Sequence, residues 1–557
     1  MIELIMAIQL LVSIVIGVYF YSQLKGKRTV KTCLDSESKI QLERLSRMRS
    51  ISLTEPLSEK TRPKSFDEII GQEEGIAGLI AALCGENPQH VIIYGPPGVG
   101  KTCAARLVLE KAKKNPNSPF RPDAKFVEID ATCLRCDERN IADPLIGSVH
   151  DPIYQGAGAY GHAGIPSPKE GAVTRAHGGI LFLDEIGELH PLHLNKLLKV
   201  MEDRKVFLES AYYSRENRNI PTHVHDIFAN GLPADFRLVG ATSKSPREIP
   251  QAIRSRCMEI YFRPLYPEEI VRIARNAAVK TGMTMSDEAA AMVGEYAQNG
   301  RDAVNMVQLA AGIAREQGEN RLLQRHIAWV VEMGRYTKRP ALRLGPAAVG
   351  CVNGLGIYGA TAGVIIEVET VAMRSSSGGS LTVTGLVEEE ETQLDSRRHR
   401  RKSTAKSSVE NVLTALKKNF GINPASFDIH VNLPGGAPVD GPSAGLAIAI
   451  SILSAITGRA VKPGIAMTGE VTVSGRVRAV GGIKPKVEAA RRAGASVVII
   501  PADNLAEVQG IEGIAVEGVS HLKDAIRLSF TKKSADEQAD SEIRIAKGEA
   551  DQTILTG

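Results

Sequence analysis

Val91-Ile-Ile-Tyr-Gly-Pro-Pro-Gly-Val-Gly-Lys-Thr102 joins an apolar, β-branched run to the stretch CAARLVLEKAKK, which has helical periodicity. The run reads as a buried strand and the stretch after it as a helix. Between them Gly95, Pro96, Pro97, Gly98, Val99, Gly100, Lys101 and Thr102 satisfy the spacing G-x-x-x-x-G-K-[ST]. Strand, glycine-rich turn and helix, in that order, are the context in which this spacing forms a P-loop. Its glycines let backbone N–H groups wrap phosphate oxygens, Lys101 neutralises their charge, and Thr102 offers a hydroxyl to Mg²⁺. A second apolar run, Ile180-Leu-Phe-Leu-Asp-Glu185, ends in two acids. Asp184 is expected on the metal side and Glu185 as the base that polarises water.

The chain has 557 residues, enough for three or four domains. Hydrophobic residues make up 43% and charged residues 24%, which suits a globular protein, although aromatics are scarce at 4%. A net charge of +5 without a basic stripe interleaved with aromatics gives no indication of nucleic-acid binding. Seven cysteines, an odd number, point to a reducing compartment. Cys133-Leu-Arg-Cys136 lacks the second pair that a four-ligand zinc site needs.

Residues 1–24 contain an apolar run from Leu4 to Tyr21, broken only by Gln9 and Ser13 and followed by Lys25, Lys27, Arg28 and Lys31. The run predicts one transmembrane helix with the rest of the chain facing the cytoplasm. Without basic residues before it or a small-x-small site after it, it does not read as a cleaved signal. A buried N-terminal helix in a soluble cytoplasmic protein is the alternative. Residues 25–61 read as a polar stalk, and 62–265 as a parallel sheet covered by helices. An all-α unit is expected over 266–340 and an α+β domain over 341–531. Residues 532–557 form a charged tail expected to be disordered.

Asp440-Gly-Pro-Ser-Ala-Gly445 holds a serine on a tight turn. Three readings compete for Ser443. His430, with Asp428 two residues away on the same strand face, could supply a histidine base. The serine could instead cap the helical run AGLAIAISILSAI. Thirdly, Gly481-Gly-Ile-Lys-Pro-Lys-Val-Glu-Ala-Ala490 brings Lys484 and Lys486 at the start of a helix. Burial disfavours an ammonium, so a desolvated lysine can act as a base without any histidine.

The nucleotide half resembles the AAA+ ATPases. That resemblance implies that Arg62–Gln72 contacts adenine and that a polar sensor stands at Thr242, with Ser243 and Lys244 as alternatives. It also implies an arginine finger at Arg256, with Arg254 as the weaker candidate, a second sensor at Arg301, and a six-membered ring. The Gly-rich segment 151–179 carries Tyr154 and Tyr160, which could grip a polypeptide in the pore of such a ring.

The second half resembles the proteolytic domain of the Lon proteases through Pro438-Val-Asp-Gly-Pro-Ser-Ala-Gly445, Val349–Gly356 and Met467-Thr-Gly-Glu-Val471. In that family the dyad lysine lies 43 positions beyond the serine, which selects Lys486 here. Thr468 is then expected to orient the lysine ammonium, and Asp440 to act as a conformational partner at the serine turn. Pro485 departs from the acidic residue common between the two lysines, and the charged run Glu388–Lys402 reads as a solvated insertion.

Together the resemblances imply an ATP-dependent serine endopeptidase that unfolds and threads protein substrates, with ATP and Mg²⁺ as cofactors. The long form's N-terminal substrate-binding domain is missing, so the chain looks like the shorter, membrane-associated form, such as that of spore-forming bacilli. The alternative is an ATP-driven remodeller of protein or nucleic acid with a non-proteolytic Lon-like domain; such relatives lack the serine and lysine.

Overall fold

The structure is a computed structural model. It describes residues 13–17, 41–50, 57–134, 143–150, 165–210, 213–217, 220–339, 342–358, 361–376, 378–385, 404–434 and 442–530. Contacts divide the chain into two units, Met1–Lys60 and Thr61–Gly557. In the first, 13–17 and 41–50 are helical. No helix among the described residues is long and apolar enough to cross a membrane. Most of the expected span falls outside the described residues.

The second unit opens on helix α1 (Glu73–Leu83) and a five-stranded sheet. Its strands are β1 (His90–Tyr94), β2 (Phe126–Asp130), β3 (Ile180–Asp184), β4 (Arg237–Thr242) and β5 (Cys257–Tyr261). The order is β2-β3-β4-β1-β5 and every pairing is parallel. Val91–Tyr94 and Ile180–Leu183 are buried because helices cover both faces, which is why they read as continuous apolar runs. Helix α2 (Lys101–Ala112) follows β1, and α3 (Pro191–Asp203) follows β3. The parallel order sets the carboxyl ends of β1, β4 and β3 side by side, where such sheets bind ligands.

Helices α4 (Pro267–Lys280), α5 (Asp287–Tyr296), α6 (Gly300–Glu316) and α7 (Gln324–Met333) form the next layer. This part is not purely helical as expected. Thr284–Met285 and Arg321–Leu322 pair in parallel between the helices, a ladder too short to leave a periodic signal in the sequence.

A seven-stranded sheet then follows. Its strands are β6 (Cys351–Tyr358), β7 (Ala362–Arg374), β8 (Leu381–Thr384), β9 (Phe427–Asn432), β10 (Ile465–Met467), β11 (Val497–Pro501) and β12 (Ala515–Val519). The order is β8-β9-β7-β6-β10-β11-β12, with β6 antiparallel to β7 and parallel to β10. Helices α8 (Thr404–Phe420), α9 (Gly445–Thr457) and α11 (Leu522–Ser529) share one core with Val352, Ile465, Met467 and Ile499. Helix α10 (Ile483–Arg492) packs with Leu355, Ala466, Val498 and Ile500 in a separate core. Residues 465–467 and 498–500 alternate between these cores, so the sheet lies between them.

Ring contacts join the two halves. The guanidinium of Arg492, on α10, lies 3.7 Å from the Tyr266 ring centroid, and that of Arg263 lies 4.0 Å from it. Contacts of this kind contribute about 0.5–1 kcal/mol each at exposed sites and more when desolvated. Arg492 also donates to Glu268 at 3.0 Å, and the buried Thr361 hydroxyl donates to the Phe262 carbonyl at 3.1 Å.

Candidate active sites

At the end of β1 the chain turns under two restraints: Gly95 N–H donates to the Thr242 carbonyl at 3.0 Å, and Phe262 N–H donates to the Tyr94 carbonyl at 2.7 Å. Gly98 has φ 73° and Gly100 φ 98°, a left-handed region that favours glycine. A Cβ on Gly98 would also lie 2.6 Å from Asn299 Oδ1, so space as well as conformation demands glycine there. The loop delivers Lys101 to the first position of α2, with Val99 buried and Thr102 half-buried beside it.

Lys101 is 6% exposed, and its Nζ donates to the Gly95 and Pro96 carbonyls at 2.6 and 3.1 Å. Burial pulls its pKa down, while Glu185 and Asp184 act in the opposite direction. Burial raises the Asp184 carboxyl in turn, and Lys101 lowers it. An ammonium, a carboxylate, left-handed glycines and a helix N-terminus converge here. That donor set fits phosphate oxygens and a magnesium ion that Thr102 and Asp184 would hold.

Glu185 has φ 48°, a strained position for a side-chain-bearing residue. Its Oε2 accepts from Ser243 N–H at 3.1 Å and from the Ser243 hydroxyl at 3.0 Å. Of the three polar candidates at the end of β4, it is thus Ser243 that touches Glu185. The expected Thr242 is fully buried and its Oγ1 accepts from Lys244 N–H at 3.1 Å. Lys244 itself pairs with Glu188 at 2.8 Å and donates to the Gly187 carbonyl.

Arg301 is the second residue of α6 and is exposed. Gly300 N–H donates to the Gly98 carbonyl at 3.3 Å, so the start of α6 leans on the P-loop and Arg301 bears electrostatically on Lys101. Arg256 pairs with Glu202 on α3, and Arg254 donates to Glu259 at 2.6 Å. Within Arg62–Gln72, Gln72 clamps the backbone of Arg263 in both directions, at 2.8 and 3.0 Å. Tyr154, Tyr160, Asp440 and the Glu388–Lys402 run lie outside the described residues.

Ser443 sits in the 3₁₀ turn Pro442–Ala444 that opens α9, and is half-buried. Ala444 is the N-cap of α9 and no side chain caps it, so the serine hydroxyl does not serve the helix. The Ser443 carbonyl accepts from Gly469 N–H at 2.9 Å and from the Thr468 hydroxyl at 3.1 Å. Thr468, expected to orient the lysine ammonium, also braces the serine turn, because its hydroxyl hydrogen goes to the Ser443 carbonyl. Gly469 is required by space, because a Cβ there would lie 2.7 Å from Val477.

Lys486 lies in the first turn of α10 and is 3% exposed, whereas Lys484 is exposed. Burial first, and then the Arg247 cation, lower the Lys486 pKa from 10.5 to about 8. The start of α10 presses on the carboxyl end of β6: a Cβ on Gly482 would strike Ile357, and one on Gly363 would strike the Pro485 carbonyl. Strand β10 runs parallel to β6, so its carboxyl end, where Thr468 holds the serine turn, is at the same end of the sheet. Ser443 and Lys486 thus approach one sheet end from the two cores. Pro485, which departs from the family pattern, is the close-packed contact of the helix.

The histidine alternative finds its residues engaged elsewhere. His430 is exposed, with Nε2 3.0 Å from the Thr384 hydroxyl. Asp428 accepts from the Ser380 backbone and hydroxyl at 2.8 and 2.7 Å, which holds its pKa below the usual carboxylate value.

Similarity to known proteins follows the same two halves. A family model described as Lon protease (S16) C-terminal proteolytic domain matches residues 330–532. One described as Magnesium chelatase, subunit ChlI, matches residues 65–260. Lon protease 2 of Bacillus subtilis is 56% identical over 524 residues, covering 93% of this chain and 95% of that protein. Archaeal Lon protease of Archaeoglobus fulgidus is 29% identical over 446 residues, 71% of this chain and 67% of its own length. Lon protease of Brevibacillus choshinensis is 28% identical over 478 residues, 79% of this chain and 54% of its own. With more than half of its residues shared with a Lon protease along nearly the full length of both, the chain belongs to the Lon protease family.

Proposed function

We propose that Ser443 and Lys486 are the nucleophile and general base of this ATP-dependent serine protease. The single observation that carries the assignment is the burial of Lys486 at the sheet end where the Ser443 turn is anchored. With a pKa near 8, a fraction of Lys486 is neutral at pH 7. As Ser443 Oγ bonds to the substrate carbonyl carbon, its proton passes to Lys486 Nζ. The resulting ammonium gives that proton to the leaving amine as the peptide C–N bond breaks, which leaves an acyl-enzyme. Water, deprotonated by the same amine, then hydrolyses the ester. Backbone N–H groups of the serine turn would hold the oxyanion. Thr468 keeps that turn in place through the Ser443 carbonyl.

At the nucleotide site Lys101 and the P-loop backbone would bind phosphates, with Thr102 and Asp184 toward Mg²⁺ and Glu185 positioning water. Bound Mg²⁺ supplies charge neutralisation on the phosphate oxygens. Arg256 is proposed as a finger toward a neighbouring subunit and Arg301 as a sensor beside Lys101. The ring is proposed to be a homohexamer in which Tyr154 and Tyr160 grip the substrate, with Asp440 supporting the serine turn. The chain is proposed to divide at residues 62, 266 and 341 into ATPase, helical and proteolytic domains.

The apolar run Leu4–Tyr21 and the basic cluster after it support a membrane anchor with the enzyme facing the cytoplasm. Likeness to a Bacillus protein supports a place among the spore-formers' enzymes. Degradation of an unstructured protein by the wild type and by Ser443→Ala, each with and without ATP, tests the enzymatic reading. Retention of activity in the full-length protein purified without detergent would argue against the anchor.

A further inference from the structure

The segment between β5 and α4 touches both the P-loop and the helix that carries Lys486. Phe262 donates its N–H to Tyr94 at the end of β1, and its carbonyl would lie 2.5 Å from a Cβ on Gly95, the first residue of the P-loop. That same carbonyl accepts from Thr361, which immediately precedes β7. Four residues on, the Tyr266 ring lies between Arg263, from its own segment, and Arg492, the last residue of α10. Glu268 holds Arg492 at 3.0 Å, and Glu269 holds Arg263 and accepts from Tyr266 N–H at 2.8 Å. Helix α10 is therefore fixed at both ends. Its start is wedged by Pro485 against Gly363, and its last residue is clasped by the β5–α4 segment of the ATPase half. Lys486 stands between these fixings, about 9 Å along the helix axis from Arg492 at 1.5 Å per residue.

We propose that Tyr266 and Arg492 are positioning residues for peptide cleavage: they transmit movement of the β5–α4 hinge to α10 and so set the placement of Lys486. The inference rests on Lys486 being the base. A hinge between the large and helical layers of an ATPase absorbs the change that nucleotide binding imposes. Here the segment is coupled to α10 through the Tyr266 ring, whose centroid lies 4.0 Å from the Arg263 guanidinium and 3.7 Å from that of Arg492. The Arg247 charge that reaches Lys486 comes from the same half of the chain, just beyond Ser243, which supports the ATPase half lying against the lysine. A passive interdomain contact would make different demands, since its loss would weaken both activities together.

The test uses the full chain with Tyr266→Leu, Tyr266→Phe and Arg492→Met. It measures ATP hydrolysis and, with and without ATP, kcat and KM for a short unstructured fluorogenic peptide. Tyr266→Leu and Arg492→Met should keep ATP hydrolysis within about twofold while the ATP-stimulated kcat falls at least about fivefold with KM unchanged. Tyr266→Phe, which keeps the ring between the guanidinium groups, should retain the stimulation. Intact ATP hydrolysis certifies folding, and if Tyr266→Leu does not fold, Arg492→Met, which leaves the ring in place, carries the test. Unchanged ATP stimulation in Arg492→Met, or a parallel loss of ATP hydrolysis and peptide cleavage, overturns the proposal. Ser443→Ala run alongside separates the two levels: cleavage surviving in it defeats the dyad itself.

Discussion

Ser243 holds Glu185 by two hydrogen bonds, one from its backbone N–H at 3.1 Å and one from its hydroxyl at 3.0 Å. The acid proposed to position water is thereby tied to the end of the strand that separates the P-loop strand from its own. Removing the hydroxyl leaves the backbone bond and takes away one hydrogen bond to a charged group, typically worth about 1.5–3 kcal/mol. Ser243→Ala should lower the rate of ATP hydrolysis by roughly 10-fold while nucleotide affinity stays within about threefold. Glu185→Gln should bind ATP and fail to turn it over, and steady-state hydrolysis assays with a fluorescent nucleotide titration check both.

Lys486, as the proposed base, links activity to pH. The base must be neutral, so peptide cleavage should rise with pH through about 8 and level off above it. Arg247 depresses the same pKa, so Arg247→Ala should move the inflection to higher pH. A pH–kcat/KM profile of both proteins decides; an inflection that stays in place removes Arg247 from this role.

The same burial has a cost in stability. The folded-state pKa of Lys486 is lowered, so below about pH 8 the protein holds an ammonium that solvent would favour. The separation between 10.5 and about 8 corresponds to about 3 kcal/mol as an upper figure. Lys486→Met should abolish cleavage yet raise the melting temperature at pH 7, with the gain shrinking as pH climbs from 8 toward 10.5. Lys484→Ala, at an exposed position, should keep its activity.

Gly363 is where α10 rests on β7. A Cβ there would lie 1.9 Å from the Pro485 carbonyl, backbone that has no rotamer to yield. Gly363→Ala should push the start of α10 away, destabilising the protein by about 1–3 kcal/mol. Peptide cleavage should fall much further than ATP hydrolysis, as parallel assays on one preparation would reveal.

Arg256 pairs with Glu202 where the side chains are 40% and 57% exposed, a contact worth about 0–1 kcal/mol. Arg256→Ala should leave the melting temperature nearly unchanged and still lose most ATP hydrolysis if the arginine serves a neighbouring subunit. Mixed rings made with a Lys101→Ala variant should then recover part of the activity.

How much of this was legible beforehand depended on distance along the chain. The P-loop, the Asp184-Glu185 pair and the serine turn are contiguous signals, and each stands at the sheet or helix terminus its own residues predict. Lys486 was singled out over Lys484 only through the family resemblance and its serine–lysine spacing; of the two it is the buried one. What could not be read joins distant residues: Ser243 reaches Glu185 across 58 positions, and Arg492 reaches Glu268 across 224. No periodicity encodes such pairs. Thr468 was assigned to the lysine through the family resemblance of Met467–Val471, and its added contact with the Ser443 carbonyl is to a main-chain acceptor that no side-chain pattern advertises. His430 and Asp428 share a strand face as the spacing required, yet Thr384 and Ser380 engage them, and only the sheet order brings those residues near.

The most direct measurement is ATP-dependent degradation of an unstructured protein such as casein by the wild type and by Ser443→Ala, with ATP hydrolysis followed in the same reactions. Ser443 as nucleophile requires that the variant hydrolyse ATP at the wild-type rate and release no peptides. Casein fragments accumulating with Ser443→Ala at a rate comparable to wild type would contradict it.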